Sequence, residues 1–251
     1  IFASPEFYSN LTDDNKKKMF ESLEKNYYNR FSIKQEIYTL FRKSLENIKY
    51  NYYYEECNIS ISYFPRETYT EKNIVRILKV RSYSDEAIIT KFHLCGYSLS
   101  PVNLEQIDPF EFISLRIDGV EKYKDDIIVL NNNTENQLLN KCGYSSHYTV
   151  CLKDKITLTS SEDTIIRIEY ISRVADNDNS MSFRVCVPCR RYILNFIAPE
   201  NHKVRAHAFG AFDIASNSSN SVYDNVISVN FDSWLLPENG VTICCIPQDK
   251  N

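Results

Sequence analysis

From Tyr50 onward, apolar and polar residues alternate with a period of two, the mark of half-buried strands. YNYYYEECNISISYF, NIVRILKVRSY and EAIITKFHLC are such runs, divided by the turn-like clusters PRETYTEKN and SD. FISLRIDGVEKY contains Asp118-Gly119, a two-residue hairpin signal. After NNNTENQLLNKCG the rhythm returns in HYTVCLKDKITLT, DTIIRIEYISRV, SFRVCV, RRYILNFIA, KVRAHAFGAF, NVISVNF and GVTICCI. About ten short strands at this spacing predict a mainly β body, an antiparallel sandwich or barrel, over residues 51–251. No crossover helices interrupt it, which argues against a parallel sheet.

The first fifty residues follow another period. Met19, Leu23, Tyr27 and Phe31 recur every four positions, with Thr12 as N-cap and Asp13 and Asp14 complementing the helix dipole. Ser32 with Gln35 reads as a capping box that restarts a second helix, whose stripe is Ile37, Leu40, Phe41, Leu45 and Ile48. Residues 1–50 are therefore expected as a two-helix appendage. Its stretch 11–50 holds nine Lys and Arg against six Asp and Glu, whereas the whole chain carries −4. A basic amphipathic pair of this kind suits a juxtamembrane segment on the cytoplasmic side, and it equally suits an ordinary solvated helical face. The chain starts at Ile1 rather than Met, so an upstream segment is expected.

Composition removes several function classes. Only 5 of 251 residues are Gly, and neither G-x-G-x-x-G nor G-x-x-x-x-G-K-S/T occurs, so no Gly-rich phosphate loop is available. No stretch of 18 apolar residues is present. The eight Cys lie mostly in apolar runs and are read as reduced, buried hydrophobes. Cys186, Cys189, His202 and His207 have the spacing of a zinc finger, but Pro199 breaks the helix such histidines need. No metal or cofactor is therefore expected. ADNDNS opens like a calcium loop, then has Met181 in place of Gly and Val187 in place of Glu, so it reads as a hairpin turn. Trp234 is expected in the core.

Charge brings out one region. Between Met181 and Phe212 stand Arg184, Arg190, Arg191, Lys203 and Arg205, against Glu200 alone. If KVRAHAF is a strand, Lys203, Arg205 and His207 share one face and Val204, Ala206 and Ala208 the other. With Arg190, Arg191 and the ring of Tyr192 on the preceding strand, these residues make a candidate site for a phosphate-bearing ligand. The competing reading is a solvated face paired with acidic neighbours, Arg205 meeting a carboxylate such as Asp213 or Glu169.

The layout, together with RVCVPCRRYILNF (184–196), KVRAHAFGAFD (203–213) and NVISVNFDSWLLPENGVTI (225–243), resembles the cytosolic β-rich sensor domains of bacterial antiphage membrane effectors of the CBASS type. In that group, N-terminal transmembrane helices precede a domain that senses a nucleotide second messenger. The resemblance implies a non-enzymatic sensor for a small phosphate-bearing ligand such as a cyclic nucleotide. The chain would lie in the cytoplasm or on the cytoplasmic side of a membrane, with a homo-oligomer as a further partner and no DNA. The alternative is a protein-interaction or carbohydrate-binding sandwich, and a cysteine- or metal-dependent hydrolase comes third.

Overall fold

The computed structural model describes residues 51–99, 110–131, 146–175, 179–209, 223–232, 234–237 and 239–248, with Thr12 and Lys18. The expected helical pair therefore lies outside the described residues, as do Asp176, Asp178 and Asp213. The chain divides at Lys49 into two units, and all the strands belong to the second.

Alternation produces thirteen strands among the described residues. They are β1 (Tyr52–Pro65), β2 (Tyr69–Ser82), β3 (Ile88–Leu99), β4 (Phe110–Ile117), β5 (Val120–Lys122), β6 (Ile127–Asn131) and β7 (Ser146–Leu158) in the first half. The second half adds β8 (Thr164–Ala175), β9 (Ser180–Arg184), β10 (Tyr192–Ile197), β11 (His202–Phe209), β12 (Val226–Phe231) and β13 (Gly240–Pro247). A seven-stranded sheet runs in the order β12-β10-β1-β2-β8-β4-β5, and two three-stranded sheets are ordered β11-β13-β9 and β3-β7-β6.

The body is thus mainly β, with one correction to an all-antiparallel plan. β10 pairs parallel to β1, Cys57 opposite Tyr192 through Ser62 opposite Ile197. No hairpin joins these two strands, so nothing forces them to run in opposite directions. A second correction concerns ADNDNS. It connects β8 of the large sheet to β9 of a small one, and is no hairpin.

Asp118-Gly119 does make the predicted tight turn between β4 and β5. Asp118 has φ 50° and Gly119 φ 81°, as the mirror-image turn requires. Cys57, Ile59, Ile61 and Tyr63 line the inner face of β1, and Ile74, Leu78 and Val80 that of β2. Buried residues from all three sheets join in a single apolar cluster. Phe92, Tyr192 and Phe196 are among its largest enclosed members, each worth about 1.5–3 kcal/mol of burial.

Candidate functional site

Register on the β11-β13-β9 sheet settles which side chains share a face. Lys203 lies opposite Ile246, Arg205 opposite Cys244, His207 opposite Thr242 and Phe209 opposite Gly240. On the far side of β13, Cys244 meets Ser180, Thr242 meets Ser182 and Gly240 meets Arg184. The opposite face carries Val204, Met181, Val241, Ile243 and Cys245, all buried. Lys203, Arg205, His207 and Arg184 therefore share the outer face.

Arg205 and His207 are exposed and Lys203 is partly so. None of these three has an ion-pair partner among the described residues, and the register places no Asp or Glu on this face. The Arg184 guanidinium lies 5.6 Å from the centre of the Phe209 ring. Ser182 Oγ and Thr242 Oγ1 hydrogen-bond at 2.9 Å between the charges. Strand spacing sets the dimensions. Lys203 to His207 covers about 13–14 Å along the strand, and β11 to β9 about 10 Å across it. That is the footprint of one small ligand.

A close approach holds the sheet together at one end. A Cβ on Gly240 would run into the Phe183 carbonyl oxygen of β9, so only glycine lets the two strands meet there. Ala208, expected on the core side, is exposed at the end of β11, and Ala206 is partly buried.

Three of the seven expected site residues stand elsewhere. Arg190 and Arg191 precede β10, which pairs with β1 and β12 rather than with β11. There Arg190 Nη1 donates to Glu55 Oε1 at 2.6 Å. Arg191 reaches Asp232 at 3.1 Å and Glu56 at 3.6 Å. Tyr192 is fully enclosed and cannot stack a ligand's base. The competing partner for Arg205 is also engaged elsewhere, because Glu169 accepts from Arg167 Nε at 2.9 Å.

The zinc-finger spacing does not converge. His202 is buried, with Nδ1 2.9 Å from Asn201 Oδ1 and its ring edge-on to Tyr63, while His207 is exposed on the other face of β11. Burial lowers the His202 pKa below the ordinary histidine value. No disulfide joins the seven described cysteines, and no group of three or more metal-ligating side chains forms among the described residues.

Sequence reasoning missed two clusters. Trp234 is not in the core. It is 51% exposed and packs at 5.3 Å on Tyr53, which stacks at 5.1 Å on the half-exposed Tyr83. Burial, with Tyr53 beside it, pushes the Tyr83 phenol up to about 12. No local signal marks this trio, since its members come from three separate stretches. Arg76 is the second omission. It occupies the same strand parity as Ile74, Leu78 and Val80, a readable sign that it faces their side of the sheet, where it is partly buried and donates from Nη1 to the Leu94 carbonyl at 2.8 Å.

No family model matches the chain, and no curated protein matches its sequence. Distant structural likenesses do exist. A nutrient-binding protein from Legionella pneumophila shares 11% identity at TM-score 0.48, over 78% of this chain and 67% of that one. Leukotriene A4 hydrolase from Saccharomyces cerevisiae shares 8% at TM-score 0.40, over 78% of this chain and 29% of its own. An M1 zinc metallopeptidase from Deinococcus radiodurans shares 10% at TM-score 0.37, over 78% and 42%. This chain thus spans less than half the length of either of these last two proteins. None of the three assigns it a ligand or a reaction.

Proposed function

We propose that residues 51–251 form a sandwich-like, non-enzymatic sensing domain whose outer β11-β13-β9 face binds a small phosphate-bearing molecule, with cyclic nucleotides the leading class. Occupancy would be relayed through residues 1–50 to a membrane on its cytoplasmic side. The carrying observation is the set Lys203, Arg205 and His207, partly or fully exposed and without an ion-pair partner among the described residues, on a face where the register of β11, β13 and β9 places no Asp or Glu. Arg205 offers a phosphate a two-pronged fork, each charge-assisted hydrogen bond being worth roughly 1.5–3 kcal/mol. The hydrogen-bonded Ser182–Thr242 pair leaves one neutral hydroxyl donor within the same footprint. A thermal-shift screen of mono-, di- and cyclic nucleotides at low and high salt tests the reading. Stabilisation that weakens with salt is expected. Absence of any nucleotide effect at low salt overturns it.

A second reading rests on Tyr53, Tyr83 and Trp234. Tyr83 and Trp234 are exposed and flank the partly exposed Tyr53, and such a group of rings favours the flat face of a sugar or an apolar side chain of a partner protein. Such binding would scarcely respond to salt. Loss of it on Trp234→Ala, with the basic face intact, would separate the two readings.

A further inference from the structure

The outer face of the β11-β13-β9 sheet changes in chemistry along its strands. Its end row is Phe209, Gly240 and Arg184, and the next is His207, Thr242 and Ser182. Arg205, Cys244 and Ser180 follow, with Lys203 and Ile246 beyond them. Successive rows are about 7 Å apart, two residues of strand rise. Strands β11 and β9 lie about 10 Å apart, with β13 between them. The Arg184 guanidinium nevertheless lies over the Phe209 ring, 5.6 Å from its centre. Gly240 makes that reach possible, because the middle strand puts no side chain between the two. At this distance the electron-rich face of the ring attracts and holds the cation.

This pair differs from the rest of the face. The rows of Arg205 and Lys203 contain no ring. Phe209 is partly buried and Arg184 is exposed, so the ring is the anchor and the guanidinium the outer layer. Arg184 has further interactions of its own. Stacking competes with none of them, since it uses the flat side of the guanidinium and not its N–H groups. Guanidinium planes and aromatic rings are the surfaces on which proteins stack nucleobases. From one end to the other the face thus offers a stacking layer, then hydroxyls beside an imidazole, then two long cations. A nucleotide carries its parts in the same order: flat base, sugar hydroxyls, phosphate.

We propose that Arg184, laid on Phe209, is the base platform of this face, and that the ligand is a purine nucleotide lying along the strands. The base stacks on Arg184, the sugar crosses Thr242 and Ser182, and the phosphate meets Arg205 and Lys203. Two-ring bases bind best because they cover more of the guanidinium. The proposal rests on the phosphate reading of the same face. It adds the direction of the ligand and the group that tells a nucleotide from a bare sugar phosphate.

Titration calorimetry of the full chain at low salt, with cyclic AMP, cyclic CMP and ribose phosphate, tests it. Cyclic AMP should bind about tenfold tighter than ribose phosphate, with cyclic CMP between them. Arg184→Lys keeps the charge and loses the plane, so it should cost cyclic AMP about tenfold and ribose phosphate much less. Arg205→Ala should weaken all three ligands alike. Arg184 is exposed, so Arg184→Lys should melt with the parent, which checks that the fold is intact. Equal affinity for cyclic AMP and ribose phosphate, both weakened by Arg205→Ala, overturns the platform and leaves the phosphate reading standing. A preference for cyclic AMP that survives Arg184→Lys also overturns the platform. Cyclic CMP binding as tightly as cyclic AMP overturns the purine preference. No binding of any of the three removes the phosphate reading and the platform together.

Discussion

Two groups of cations lie close together in sequence and fare differently. Arg190 and Arg191 enter the large sheet beside β1, whose bulge between Tyr54 and Glu56 sets two consecutive carboxylates, Glu55 and Glu56, within their reach. Asp232, just past β12, holds Arg191 from the other side. Lys203, Arg205 and His207 run along β11, where β13 offers them Ile246, Cys244 and Thr242. One group is pinned and the other is open. Whether a basic residue is free for a ligand is decided by what the neighbouring strand presents in register. That neighbour can be distant in the chain: Glu55 and Arg190 are 135 positions apart.

The sharpest way to break this contrast is to break the open sheet. Gly240→Ala forces β9 and β13 apart and should cost about 1–3 kcal/mol or more, read from denaturant unfolding. Nucleotide binding should fall with it, while the pinned group on the other sheet stays as it is. An alanine variant as stable as the parent would show that the close approach is not needed.

Arg205→Ala acts on the open group directly. Affinity for a nucleotide found in the screen should drop tenfold or more, about 1.4 kcal/mol, while stability moves by no more than about 0.5 kcal/mol. Arg205→Lys should restore only part of the affinity, since it keeps the charge and loses the fork. Titration calorimetry and melting on the same variants check both. A large stability loss would mean that Arg205 is pinned after all.

Strand β11 supports a pH test of smaller size. His202 is held below its ordinary pKa by burial, and His93 by burial and Lys91. In the unfolded chain both return to about 6.5, so below that value the unfolded state binds more protons. Stability should be full above about pH 6.5 and fall as pH drops from there toward the lower folded values. His202→Gln should flatten part of that slope. A melting temperature that rises on acidification through this range would contradict the burial of both rings.

The smallest effect is expected in the pinned group. Glu55→Gln releases Arg190, and stability should change by about 0–1 kcal/mol, as for a surface ion pair. If nucleotide binding then moved as strongly as with Arg205→Ala, the division between pinned and open would not hold.

Much of the architecture was legible in the chain. The period of two in YEECNISISYF and NIVRILKV fixes which side of β1 and β2 is apolar, and Asp118-Gly119 names its own turn. The shared face of Lys203, Arg205 and His207 follows from strand parity alone. The pairing of β1 with β10 did not follow. It joins segments more than a hundred residues apart, and no turn chemistry records it. Placing Arg190, Arg191 and Tyr192 beside the β11 cations failed for that reason: adjacent in sequence, β10 and β11 enter different sheets. Trp234 misled because apolar rings can also satisfy one another at the surface, as Tyr53 and Tyr83 do for it.

The parallel neighbour of β1 also sets a timetable. β1 meets β2 soon after both leave the ribosome, but its other edge waits for Tyr192–Ile197. At ~5–20 residues per second, the 135 positions between Glu55 and Arg190 take roughly 7–27 s to synthesise. For that interval a long strand rich in tyrosine and isoleucine presents unpaired backbone groups, the template on which chains pair with one another. A nascent chain of this protein needs its β1 edge shielded until β10 arrives.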